Sequence, residues 1–170
     1  KQKNKYLSKD LKLNILKEES CQNHFSLKTK LKYASINSKE IKKNDIFFAI
    51  KGKRKNGNHY LREVFNKKAS LAIVNKISNL EKKSKQIKVK NTLNFLTKTS
   101  SKVRENSSAK IIAITGSCGK TSLKELIGMT FNKICRATYS NKSFNNKYGV
   151  PLSLFNLNLR DNFGVFEVGM

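Results

Sequence analysis

The stretch that most constrains what this chain can fold into is Ile111-Ile112-Ala113-Ile114-Thr115-Gly116-Ser117-Cys118-Gly119-Lys120-Thr121-Ser122. An apolar run suited to a buried strand enters a turn bounded by two glycines and then meets Lys-Thr. Behind it, Leu123, Leu126, Ile127, Thr130 and Phe131 fall at i, i+3, i+4, i+7 and i+8, which predicts one apolar helical face. Strand, glycine turn, Lys-Thr and helix in that order form a cradle for a nucleoside triphosphate. Glycines let backbone N–H groups converge on anionic oxygens, and the helix N-terminus adds partial positive charge. Lys120 is placed to reach the outer phosphates and the Thr121 hydroxyl to ligate a magnesium ion. Ile114 stands where the longer G-x-x-x-x-G-K-[ST] pattern has glycine, leaving the shorter G-x-x-G-K-T.

The surrounding pattern sets the fold class. Apolar segments at 46–50, 71–74, 110–115, 134–139 and 163–168 alternate with helical repeats, which predicts an α/β protein with parallel sheets covered on both faces. The polar stretch Arg104 to Ala109 reads as a linker. Residues 1–106 are therefore expected to form a small α/β domain, and 107–170 the first part of a P-loop parallel-sheet domain. Within the first domain, Ser8 is the expected N-cap of a helix to Leu16. Extended pieces at 33–36 and 46–50 flank a turn at Lys43-Asn44-Asp45. Gly52 and Gly57 are expected at positive φ. Leu61, Val64, Phe65 and Ala69 share a helical face. A weak strand follows at 87–90, and Thr92 is the expected cap of a helix bearing Leu93, Leu96, Ser100 and Val103.

The net charge of +25 invites a nucleic-acid reading. The excess is nearly all lysine, however, with 31 Lys against 5 Arg, scattered through every segment and accompanied by 20 Asn. Phosphate-clamping surfaces favour Arg, and single-strand binders interleave aromatics with the basic residues. Nucleic acid is therefore not the expected partner. Cys21, Cys118 and Cys135 are odd in number and widely spaced, which argues against a disulfide framework or zinc site and for a reducing, cytoplasmic setting. No run approaches membrane-spanning length, and no membrane partner is expected.

Ligands in open parallel sheets sit outside the carboxyl ends of the strands. Glu167 is the only charge in its apolar run and lies at such an end. It reads either as a glutamate reaching water or as a magnesium ligand acting with Thr121, and the metal reading is favoured because a buried carboxylate needs a partner. In the loop 141–151, Asn145 and Asn146 fit either phosphate-shell contacts or ordinary turns. Cys118 is read as a small residue that fits the turn. His24 and His59 have no triad partners and receive no catalytic role.

Taken together, Thr115-Gly116-Ser117-Cys118-Gly119-Lys120-Thr121, the later S-F-N-N-K-Y-G-V-P and the F-E-V-G-M run resemble the ATP-binding signature of the Mur ligase family. Asp45-Ile46-Phe47-Phe48-Ala49-Ile50-Lys51-Gly52, with Asn56-Gly57-Asn58-His59-Tyr60, resembles that family's N-terminal substrate segment. Asn37-Ser38-Lys39 stands where the family often has Asp-Ser-Arg, and Asn56 and Asn58 replace its Asp and His. Within the family, the branch adding D-alanyl-D-alanine to a UDP-N-acetylmuramoyl-tripeptide is the most similar. The resemblance implies ATP-dependent amide formation through an acyl phosphate, in peptidoglycan precursor synthesis. It implies ATP contacts at Thr115 to Ser122 and at Asn145 and Asn146, Mg²⁺ at Thr121 and Glu167, and a catalytic role for Lys120. Both chain ends look cut, so this stretch alone is expected to hold phosphates without completing ligation. The alternatives are another Mur-type ligase, folylpolyglutamate synthase, or a basic P-loop nucleic-acid-binding protein.

Overall fold

The computed structural model describes residues 11–22, 31–52, 55–140 and 145–169. The expected cap Ser8, His24, loop residues 141–144 and Met170 lie outside them. The chain divides into two compact units, Lys1–Thr99 and Ser100–Met170, with the division inside a helix. The boundary expected at 106–107 falls just after that helix, and Arg104 and Glu105 of the expected linker are helical.

The first unit begins with α1 (Leu11–Ser20), which buries Leu11, Leu13, Ile15 and Leu16. Four strands follow, β1 (Ala34–Ser35), β2 (Ile46–Phe48), β3 (Leu71–Val74) and β4 (Gln86–Lys88), all parallel and in sequence order. Ile46 pairs with Ala34 on one side and Leu71 on the other. Alternate residues Phe47, Ala49, Ala72 and Val74 pack with Leu61, Val64 and Ala69, the expected face of α2 (Leu61–Asn66) and the turn after it. Ile46, Phe48, Leu71 and Ile73 point the other way and are also buried, so the sheet is covered on both faces.

Three local expectations are corrected. Gly52 and Gly57 do not adopt positive φ; among the described glycines, only Gly116 and Gly119 do. Gly57 is required for space, because a Cβ there would lie 2.6 Å from the Ala49 Cα. Asn44, in the expected turn, takes the left-handed conformation instead (φ 71°). Thr92 is not the cap of α3 (Thr92–Glu105). The Asn91 side chain accepts from the N–H groups of Leu93 (2.9 Å) and Asn94 (3.0 Å), while the Thr92 hydroxyl donates to the Ala49 carbonyl at 3.1 Å. The α3 face includes Leu96, Ser100 and Val103 as expected, with Phe95 and Thr99 added.

The second unit contains β5 (Lys110–Ile114), α4 (Lys120–Ile134), β6 (Ala137–Tyr139), α5 (Gly149–Phe155) and β7 (Phe163–Glu167). The sheet order is β5-β7-β6, all parallel. Central β7 is the buried strand. β5, expected to be buried, is an edge strand among the described residues, and only its Ile114 is buried. The α4 face is also rotated from expectation: Leu123 and Leu126 are 48% and 64% exposed, while Lys124 and Gly128 are buried. Close approach at Gly128 sets this rotation. A Cβ there would lie 2.4 Å from the Tyr139 ring of β6, so only glycine lets the helix sit this near the sheet. Phe131, on the same side, stacks on Phe163 of β7 at 4.4 Å between ring centres.

Candidate active site: a phosphate loop beside a buried glutamate

β5 delivers the chain into the turn Thr115–Gly119, and α4 leaves it at Lys120. Gly116 (φ 145°) and Gly119 (φ 73°) hold backbone conformations that cost other residues on the order of 1–2 kcal/mol. A Cβ at either would meet nothing within 4 Å, so conformation rather than space selects glycine here. As the N-cap of a fifteen-residue helix, Gly119 has no side chain to offer the first N–H groups of α4. Such a helix start is suited to an anion. The Lys120 ammonium donates across the turn to the carbonyls of Gly116 and Ser117. It is thereby placed over the loop, with Thr115, Ser117, Cys118 and Ser122 exposed around it.

The parallel register sets Glu167, the last residue of β7, beside Ile114, the last residue of β5. Val168 N–H continues the ladder to the Ile114 carbonyl at 2.9 Å. Glu167 is 2% exposed. The Thr121 hydroxyl donates to its Oε2 at 2.8 Å and the Asn145 amide to its Oε1 at 2.9 Å. Asn145 is held in turn by Gly169 N–H, which donates to its carbonyl at 2.8 Å. The structure thus brings together four of the predicted residues, Lys120, Thr121, Asn145 and Glu167.

Asn146 differs from its neighbour. Its Oδ1 accepts from the N–H groups of Tyr148 and Gly149, both at 3.0 Å, at the start of α5. That oxygen shapes a helix entry and is not directed by these contacts toward the loop. Lys124 was missed by sequence reasoning. It is fully buried, three residues beyond Thr121 on the same helical face. The hydrophobic repeat Leu123–Leu126–Ile127 masked it by suggesting a different inward face.

A neutral hydroxyl and an anionic carboxylate in contact, both oxygen donors, fit a hard divalent cation such as Mg²⁺. Among the described residues no group of three or more His, Cys, Asp or Glu converges. A cation held by Thr121 and Glu167 would take its remaining ligands from phosphate and water, as Mg²⁺ commonly does.

Residues 114–170 match the family model of the Mur ligase middle domain. The chain belongs to the Mur ligase family. It is 39% identical over 135 residues to the UDP-N-acetylmuramoyl-tripeptide–D-alanyl-D-alanine ligase of Rickettsia prowazekii (strain Madrid E), covering 79% of this chain and 30% of that protein. Crystal structure II of MurF from Acinetobacter baumannii superposes with a TM-score of 0.74 at 26% identity, over 92% of this chain and 35% of that one. The MurF ligase of Thermotoga maritima, solved in complex with ADP, superposes with a TM-score of 0.62 at 27% identity, over 81% of this chain and 32% of that one. The chain thus spans about a third of the length of these relatives.

The Mur ligase resemblance also runs through the first unit, where the departures noted in the sequence have a local explanation. Asn37 Oδ1 accepts from Lys39 N–H and Asn56 Oδ1 from Asn58 N–H, each at 3.1 Å. An Asp at either position would make the same turn contact, so Asn keeps the geometry and drops the charge. The Asn58 amide donates to Asn75 Oδ1, joining the loop after β2 to the end of β3. No helix among the described residues is long and apolar enough to cross a membrane.

Proposed function

We propose that this chain supplies the phosphate-binding portion, and the nucleotide-substrate unit before it, of an ATP-dependent ligase. That ligase joins D-alanyl-D-alanine to UDP-N-acetylmuramoyl-tripeptide. The observation that carries the reading is the contact of Thr121 with buried Glu167, set beside a glycine-capped helix start and Lys120. A carboxylate is a poor electrophile. One oxygen of the tripeptide's terminal carboxylate attacks the γ-phosphorus of ATP, ADP departs, and an acyl phosphate results. The amine of D-alanyl-D-alanine then attacks the acyl carbon, inorganic phosphate leaves, and the amine loses a proton.

Bringing a carboxylate against a triphosphate requires charge neutralisation at fixed positions. In this chain the α4 N–H groups and Lys120 provide it, and Glu167, with Asn145, orients Thr121. When bound, Mg²⁺ adds positive charge across the phosphates, and Thr121 and Glu167 are the residues that would hold it. The first unit is proposed to bind the uridine-nucleotide substrate, and the reaction to occur in the cytoplasm, in keeping with three free thiols. The open side of β5 and the exposed Leu123, Leu126 and Met129 of α4 are surfaces that a protein of the relatives' length can cover.

The test uses the complete protein that carries these residues. Phosphate release should require ATP, the tripeptide nucleotide and D-alanyl-D-alanine together, with one amide formed per phosphate. Equal turnover with a single amino acid in place of the dipeptide would overturn the substrate assignment.

A further inference from the structure

Lysines that are scattered in the sequence are gathered by the first sheet onto one edge. Its four strands run parallel, so their amino-terminal ends share one side. Lys32 precedes β1, Lys42 and Lys43 precede β2, and Lys68 precedes β3. Backbone bonds fix these segments side by side: Lys32 N–H donates to the Asn44 carbonyl and Asn44 N–H to the Lys68 carbonyl, both at 3.0 Å. At the start of β4 the Gln86 side chain donates to the carbonyls of Ser78 (3.0 Å), Glu81 (3.3 Å) and Lys82 (3.5 Å), and it accepts from Ser78 N–H at 2.9 Å. These bonds draw Lys82 and Lys83 to the same edge. Three strand spacings of roughly 4.8 Å make the row about 14 Å wide.

Lys32, Lys42, Lys43, Lys68, Lys82 and Lys83 are all exposed, and no ion pair engages them among the described residues. The acids nearby do little to cancel them. Asp45 is buried and its carboxylate accepts from the N–H groups of Tyr33 (3.2 Å) and Lys42 (2.8 Å). Glu40 and Glu81 are half-buried. Among the described residues of the first unit the large exposed apolar side chains are Tyr33 at 43%, next to Lys32, and Leu80 at 93%, next to Glu81. Leu80 lies in the loop that Gln86 gathers.

We infer that this edge docks on an anionic lipid bilayer surface, a peripheral contact that revises the expectation of no membrane partner, which rested on the lack of a spanning run. Lysines near such a surface are drawn by its negative potential, each strengthening partitioning about fivefold. An adjacent protruding leucine and a tyrosine suit the boundary between headgroups and acyl chains. A polynucleotide would call for Arg forks and several stacking aromatics, whereas this edge offers, among the described residues, lysines and one tyrosine.

The experiment is sedimentation of the chain with phosphatidylcholine vesicles, with and without phosphatidylglycerol. Binding is expected only with phosphatidylglycerol and should weaken as salt is added. The variant Lys42→Glu, Lys43→Glu, Lys68→Glu, Lys83→Glu should lose about a hundredfold or more in partitioning. A matched variant at the opposite end of the sheet, Lys51→Glu, Lys55→Glu, Lys76→Glu, Lys90→Glu, carries the same net charge and should lose far less. Leu80→Ser, at a site too exposed to affect folding, should weaken binding several-fold with the salt dependence unchanged. Equal losses in the two quadruple variants would overturn the inference in favour of diffuse charge. So would binding that ignores phosphatidylglycerol, or displacement from vesicles by a single-stranded polynucleotide that needs the same four lysines.

Discussion

Replacing Glu167 with Gln separates the site's function from its contribution to stability. The carboxylate is 2% exposed and is held by two neutral donors, Thr121 and Asn145. A Gln in the same place can keep both contacts: Oε1 accepts from Asn145, and Nε2 donates to the Thr121 hydroxyl, which rotates to accept. Each bond then falls from a charge-assisted to a neutral one, a loss of roughly 1–1.5 kcal/mol apiece. Against that stands the removal of a buried charge whose desolvation costs several kcal/mol. The two effects nearly cancel, and Glu167→Gln is expected within about 1 kcal/mol of the parent chain. Urea unfolding followed by circular dichroism measures this, with an unchanged slope required for a fair comparison. Magnesium-dependent nucleotide binding should nevertheless fall at least about tenfold, because an uncharged amide oxygen replaces the anionic ligand. A destabilisation beyond about 3 kcal/mol, as expected when a buried charge pair is broken, together with unaltered magnesium dependence, would refute the reasoning and make Glu167 a purely structural residue.

Other outcomes follow from the first unit. Gly57→Ala should destabilise by about 1–3 kcal/mol in the same unfolding assay, since its Cβ would meet the Ala49 backbone, which cannot yield as a side chain would. Asn91→Ala should cost about 1 kcal/mol through loss of the α3 cap, whereas a Thr92→Ser variant, which keeps the hydroxyl on the Ala49 carbonyl, should cost less. The hydrogen bonds of Lys67 and Ser38 to Glu63 hold its carboxyl below the ordinary value of 4.5. Its contribution to stability is therefore complete above that value and lost as pH falls through the lowered one. Glu63→Gln should flatten this acidic limb of the stability profile, and an unchanged limb would contradict the assignment.

Much of the site was legible because its parts are local in sequence. Gly116, Gly119, Lys120 and Thr121 lie within six residues, and backbone physics alone explains their order. Glu167 was legible for a different reason: a lone charge ending an apolar strand needs a partner, and parallel register supplied Thr121. Asn145 and Asn146 were not separable in advance, since either amide can cap a turn; only the fold shows which of them reaches Glu167. The α4 face was misread because hydrophobic spacing assumes that the apolar side faces the sheet. Close approach at Gly128 overrode it, carrying Lys124 inward and leaving Leu123 and Leu126 exposed. The basic edge was invisible for a topological reason, since strand order, which no window of sequence contains, brings Lys32, Lys43 and Lys68 together.

The most direct measurement is equilibrium binding of ATP to this chain in the presence and absence of Mg²⁺, by calorimetry, alongside Lys120→Ala. The loop with its glycine-capped helix predicts binding that strengthens with Mg²⁺ and weakens at least about tenfold when the ammonium is removed. Binding that is indifferent both to Mg²⁺ and to Lys120 would contradict a phosphate site at residues 115–122.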